Sequence, residues 1–233
     1  MAQTKPQSLA IIFALFCTLH CFSQSPERFY QNGKVGYKSK GGQVIVPAMY
    51  IAGGEFSEGF AIVLQGSKRG YINEKGDVSI PFEFDDAAQF INGIARVAKG
   101  TSYGFIDKTG KFVIPLQFES ANDFSGGLAR VRQSGKYGFI NSNGKIVIPC
   151  TFDDAGNFSE GLAPAKVKEG WGYINSSGIF VIKATYKMAF SFINGEAGVV
   201  KGDENIFIDK HGKFLRENEI DEEEKRERGI KKD

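Results

Sequence analysis

Few side chains in this sequence are suited to carry a reaction, and they stand apart. Nucleophilic catalysis needs a base beside the nucleophile. Cys150 and His211 are the thiol and imidazole that remain once the first 23 residues are set aside, and they lie in separate segments. His211 falls in a turn, Asp-Lys-His-Gly, and Cys150 reads as a small apolar residue. A zinc centre wants three or four His or Cys ligands, which this set cannot supply. Paired carboxylates occur at Asp85-Asp86 and Asp153-Asp154. A glycosidase would need two such groups about 5–10 Å apart across a cleft. Adjacent acids in a connection fit turn formers better, with side chains bonded to nearby backbone N–H groups. Oxygen ligands do not recur often enough to make a calcium site. No Walker pattern or dinucleotide fingerprint is present. The sequence therefore predicts a protein that is not an enzyme and calls for no cofactor and no metal.

Aromatic pairs are the stronger candidates for binding. Tyr103 and Phe105, Tyr137 and Phe139, and Trp171 and Tyr173 are each two residues apart. In a strand each pair projects from one face. Repetition would line Tyr103, Tyr137 and Trp171 along a groove suited to a peptide or to sugar rings. The same rings could instead form the core, or divide, with the first ring partly exposed and the second buried.

The elements that hold these residues follow from an internal repeat. Gly36, Gly70, Gly104, Gly138 and Gly172 are spaced by 34 residues, and a second column runs Gly42, Gly76, Gly110, Gly144, Gly178 and Gly212. Pro47, Pro81, Pro115 and Pro149 form a third column, and Phe56, Phe90, Phe124, Phe158 and Phe192 a fourth. Paired helices can also repeat at this length. The copy from Leu128 argues against them. Leu128–Gln133, Tyr137–Asn141 and Lys145–Ile148 have strand length and are separated by Ser134-Gly135 and Asn143-Gly144. Two glycines and a proline in each copy would break helices.

The chain is thus all-β, with six three-stranded antiparallel meanders between about Glu27 and Leu215. Such small sheets cannot bury an apolar face alone, so they must stack. An open, solenoid-like superhelical stack is expected, with a closed propeller-like ring as the alternative. The turn glycines are expected to take φ > 0. The prolines should end the third strand of each copy. The phenylalanines of the connections should plug the gaps between meanders.

The motifs that carry a family resemblance are Gly170-Trp171-Gly172-Tyr173-Ile174-Asn175, Lys136-Tyr137-Gly138-Phe139-Ile140-Asn141 and Ser102-Tyr103-Gly104-Phe105-Ile106-Asp107. With the Gly-Lys-x-x-Ile-Pro, x-Phe-Asp-x-Ala and Phe-x-x-Gly-Leu-Ala segments, they resemble the WG (KWG) repeat family, in an exported bacterial form. The resemblance covers Val35 to Leu215. It implies a β-rich interaction scaffold without catalytic residues. One copy carries the family's Trp, at 171; the others have Tyr, Val, Arg or Asn there.

Compartment is read from the N-terminus. Leu9–Leu19 is uncharged and follows Lys5. It is shorter than the roughly 20 residues that span a bilayer. It matches a secretory signal over residues 1–23, with Cys21 and Ser23 placed for cleavage before Gln24. A lipid anchor through Cys17 or Cys21 is the alternative. The expected location is periplasmic or secreted. One remaining cysteine means no internal disulfide framework. Residues 24–215 form the repeat domain. The tail, 216–233, has 8 acidic and 6 basic residues out of 18 and little to bury. A net charge of +2 over 233 residues offers no case for nucleic acid. No later apolar run is long enough for a transmembrane helix. The expected partner is an unnamed protein or glycan, and the oligomeric state is open.

Overall fold

The computed structural model describes residues 25–217. The expected signal segment and nearly all of the charged tail lie outside them. All regular structure in the described residues is β. The first sheet comprises β1 (Glu27–Gln31), β2 (Lys34–Lys38) and β3 (Val44–Tyr50), paired in that order. The second comprises β4 (Ala52–Gly53), β5 (Phe60–Gln65), β6 (Lys68–Asn73) and β7 (Val78–Phe84). Four more antiparallel sheets repeat the second one. The meanders are therefore six, as the columns require. Each from the second onward gains a two-residue strand from the connection, such as Asp154–Ala155, which pairs with the strand that follows.

On the faces that meet a neighbouring sheet, alternation puts small and branched residues on one side and aromatic residues with isoleucine on the other. Five buried clusters result, one for each pair of neighbouring sheets. Between the fourth and fifth sheets, Phe139, Ile148 and Phe152 meet Ala163, Ala165 and Ile174. No cluster among the described residues joins the sixth sheet to the first. The stack is open and solenoid-like, with each sheet buried by its neighbours.

Two columns act differently from expectation. Pro47, Pro81, Pro115 and Pro149 sit inside their strands, not at the ends; Pro149 lies within Ile146–Phe152. The partner register slips there, from Phe139↔Ile148 to Tyr137↔Phe152. The bulge on an edge strand needs no N–H at that point, so proline fits without breaking the strand. The first glycine column lies inside strands, as Gly138 does within Lys136–Asn141, so its cause is not turn geometry. A Cβ on Gly138 would lie 2.6 Å from the Ile148 carbonyl oxygen and 2.7 Å from the Cys150 nitrogen. Close backbone approach at the bulge requires glycine there, whereas Gly144, at φ 76°, is the turn glycine expected.

Candidate functional site

The middle strands of the third, fourth and fifth sheets carry Tyr103, Tyr137 and Trp171 at equivalent places. Each is half-buried, and each packs on the edge of a core cluster. Their partners two residues on, Phe105, Phe139 and Tyr173, are fully buried. The pairs divide: one ring belongs to the core and the other borders solvent. The inward ring meets the connecting phenylalanine of the next copy, as in Phe139–Phe158 at 4.8 Å between centroids. Phe158 is buried and Phe124 half-buried, so both plug the gap between sheets.

Arginines, which the sequence reading passed over, complete this surface. The Arg96 guanidinium lies 5.5 Å from the Tyr103 ring centre, and Arg130 lies 5.2 Å from that of Tyr137. Arg132 reaches the same Tyr137 ring at 5.6 Å. Such stacking attracts a cation to the ring face and covers part of it. Arg96 is itself held between Asp86 and Asp123, at 2.7 and 3.1 Å. The alternating Leu128-Ala-Arg-Val-Arg pattern held the signal: Arg130 and Arg132 pair directly with Phe139 and Tyr137.

The carboxylate pairs are tied into the framework. Asp85 accepts hydrogen bonds from Lys68 Nζ at 2.6 Å and from the Gly100 N–H at 2.7 Å. These bonds lower its carboxyl below the usual range, Lys68 first. For Asp86 burial works against ionisation, but Arg96 and Arg69 outweigh it and the carboxyl is also lowered. Asp153 pairs with Lys136, and Asp154 accepts the N–H of Ala155 at 2.8 Å. Neighbouring carboxylates therefore turn to different partners. Cys150 is half-buried, and burial pushes its thiol up, away from the reactive thiolate. His211 is exposed in the last hairpin turn, where its backbone N–H bonds to Asp209. Among the described residues no group of three or more His, Cys, Asp or Glu side chains is placed to hold a metal ion. No helix among them is long and apolar enough to cross a membrane.

Stacked copies of one small sheet, each carrying the same aromatic pair, define a tandem β-repeat protein. The pattern of the WG containing repeat matches residues 36–68, 70–100, 103–137, 137–170 and 171–204, and the chain belongs to the WG-repeat family. It matches no curated protein. Among solved structures it is similar to one described as the eukaryotic initiation factor, with a TM-score of 0.52 and 12% identity over 84% of this chain and 64% of that one. The chain thus spans slightly under two thirds of that protein, and the likeness is one of fold. Kluyveromyces lactis Hsv2 gives a TM-score of 0.47 at 8% identity, covering 85% of this chain and 77% of its own. The extracellular domain of a one-component system from B. thetaiotaomicron gives 0.41 at 10%, covering 78% and 33%.

Proposed function

We propose that this repeat scaffold is a noncatalytic interaction module that binds protein or cell-envelope material outside the cytoplasm. The observation that carries the reading is the repeated surface itself. Tyr103, Tyr137 and Trp171 stand at one place in three consecutive sheets, half-exposed, with arginines stacked against the first two. Flat amphipathic rings with guanidinium neighbours are the groups that anchor protein interfaces. The acids and the cysteine that might serve chemistry are engaged in ion pairs or raised by burial, which supports a binding role over a reaction. Export rests on the N-terminal segment read above.

Binding of carbohydrate along the row is the second reading, and Trp171 favours it, being the largest ring of the three. The arginines against Tyr103 and Tyr137 compete with a sugar for those faces, so the protein reading is preferred.

A screen of the mature chain against envelope proteins and a glycan array tests both, with Trp171 fluorescence as the readout for the parent and Tyr137→Ala chains and calorimetry for Trp171→Ala. We expect a protein ligand whose affinity falls at least tenfold in Tyr137→Ala and Trp171→Ala. A ligand indifferent to both substitutions would remove the row from the site. A glycan lost on Trp171→Ala would move the assignment to the second reading. Cell fractionation that leaves the protein in the cytoplasm would defeat the placement outside it.

A further inference from the structure

Each interface between sheets contains one socket, and five of them hold a phenylalanine. Phe56, Phe90, Phe124, Phe158 and Phe192 each come from the connection to the next sheet. Each lies on the aromatic residue of the sheet before, at 5.2, 5.0, 5.0, 4.8 and 4.8 Å between centroids. The sixth sheet repeats the receiving half of this arrangement. Its Phe207 stands where Phe105 and Tyr173 stand, but among the described residues what lies on its ring is the Arg216 guanidinium, 4.3 Å from the ring centre and paired with Glu196 at 2.6 Å, and no plugging phenylalanine.

A cavity of about 440 Å³ opens beside Phe207, lined by Phe190, Ile193, Glu196, Gly198 and Phe207 among others. Three copies earlier, the same place is bordered by Ile91, Ile94, Arg96 and Phe105, and there Phe124 leaves no room for water. The cavity is therefore the sixth socket without its plug. Local substitutions enlarge it. Gly198 stands where the other copies have Ile62, Arg96, Arg130 and Pro164. A Cβ there would find nothing closer than 3.7 Å.

The two ends of the stack differ. The outward face of the first sheet carries Glu27 and Lys38, cross-strand partners, where inner sheets carry alanine and isoleucine. That is the polar end a repeat protein needs. The far end presents Phe190 and Ile193, which are 55% and 69% exposed. Gly54, Ala88, Asn122 and Gly156 occupy the place of Phe190 in the other copies.

We infer that this outer face is a docking site for a partner protein, which inserts an aromatic side chain from an extended segment. The inference rests on the interaction-scaffold reading and deepens it, at a place separate from the Tyr103–Trp171 row. The occupant's chemistry is that of the five filled sockets, to which the open one is the direct continuation. Other occupants fit less well. A second copy stacked head to tail would present Glu27 and Lys38, and its residue in the register of the plugging phenylalanines, Phe22, falls in the segment expected to be cleaved. The chain's own continuation has Arg226, not a ring, in the register of the plugging phenylalanines.

The test uses the full chain and a fluorescein-labelled peptide with the sequence of residues 153–162, Asp-Asp-Ala-Gly-Asn-Phe-Ser-Glu-Gly-Leu, followed by anisotropy. Saturable binding is expected. It should weaken at least tenfold when the peptide's Phe is replaced by Ala, and at least tenfold in Gly198→Arg, which restores an interior residue. Ile193→Asp, a surface change, should weaken it as well, and both variants should keep the parent circular dichroism. No binding at millimolar peptide, or equal binding of the Ala peptide, overturns the proposal. So does binding that appears only when residues 218–233 are removed, which would give the socket to the chain's own tail. Self-association abolished by Gly198→Arg would give it to a second copy. An envelope ligand that still binds Gly198→Arg, with the peptide failing, would defeat the socket and leave the scaffold standing. Peptide binding alongside a blank screen would do the reverse.

Discussion

A buried ring in this protein is held by its neighbours in the next copy as much as by its own sheet. Phe158 is 5% exposed and meets Phe139 from the preceding sheet. Phe158→Ala should cost about 3–5 kcal/mol, the range for emptying an aromatic core site. Phe124→Ala, at a half-buried position, should cost less; equal melting temperatures for the two variants would contradict this. Gly138→Ala tests the bulge. Its added methyl meets the Ile148 carbonyl, and a loss of roughly 1–3 kcal/mol in chemical denaturation is expected. Titration adds a third test. Tyr37, Tyr71 and Tyr173 have their phenols pushed well up, first of all by burial. The folded state then holds these protons longer than the unfolded chain does. Stability should be full below about pH 10 and decline as pH rises above it. Tyr71→Phe with Tyr173→Phe should flatten that decline, at the cost of the bonds from the two hydroxyls to Ala88 and Phe190, both 2.7 Å. A decline just as steep in the double variant would place its cause elsewhere.

At the scale of elements, the connections do more than link strands. Ser57, Ser125 and Ser159 donate to the carbonyls of Phe90, Phe158 and Phe192 in the following connection, at 2.7–2.8 Å. Glu58 accepts the N–H groups of Asn92 and Gly93, and Glu160 that of Gly195. These bonds fix the spacing of adjacent copies, so Ser159→Ala should cost about 0.5–1.5 kcal/mol, read from urea unfolding. No change would show that water replaces the hydroxyl without loss. Strand type, order and the turn at Asn143-Gly144 were legible, because alternation and turn chemistry are local. The two-residue strands and the proline bulge were not. A strand of two residues has no periodicity to read, and proline alone does not distinguish a strand end from an interior edge position. The arginines at 96, 130 and 132 were visible as alternating polar residues; their stacking on tyrosine depends on cross-strand register.

For the whole molecule, contact with nearest neighbours alone has a consequence. Deleting one register of 34 residues, 104–137, removes one sheet-to-sheet cluster and rejoins equivalent strands. The shortened chain should fold, with the same β signature by circular dichroism and a lower melting temperature. An unfolded product would show that copies are not interchangeable. The first and last sheets differ: the outer face of one carries Glu27 and Lys38, and that of the other exposes Phe190 and Ile193 beside the Arg216–Glu196 pair. By itself the sequence determined the repeat length, the all-β class, the number of sheets and the alternation of every strand. Each of these follows from glycine, aromatic and apolar spacing within a few tens of residues. Only the tertiary structure decided which of two like rings is buried, which carboxylates are spent on ion pairs, and that the stack stays open. Those outcomes depend on what a neighbouring copy places against each face, and spacing along one chain does not contain that information.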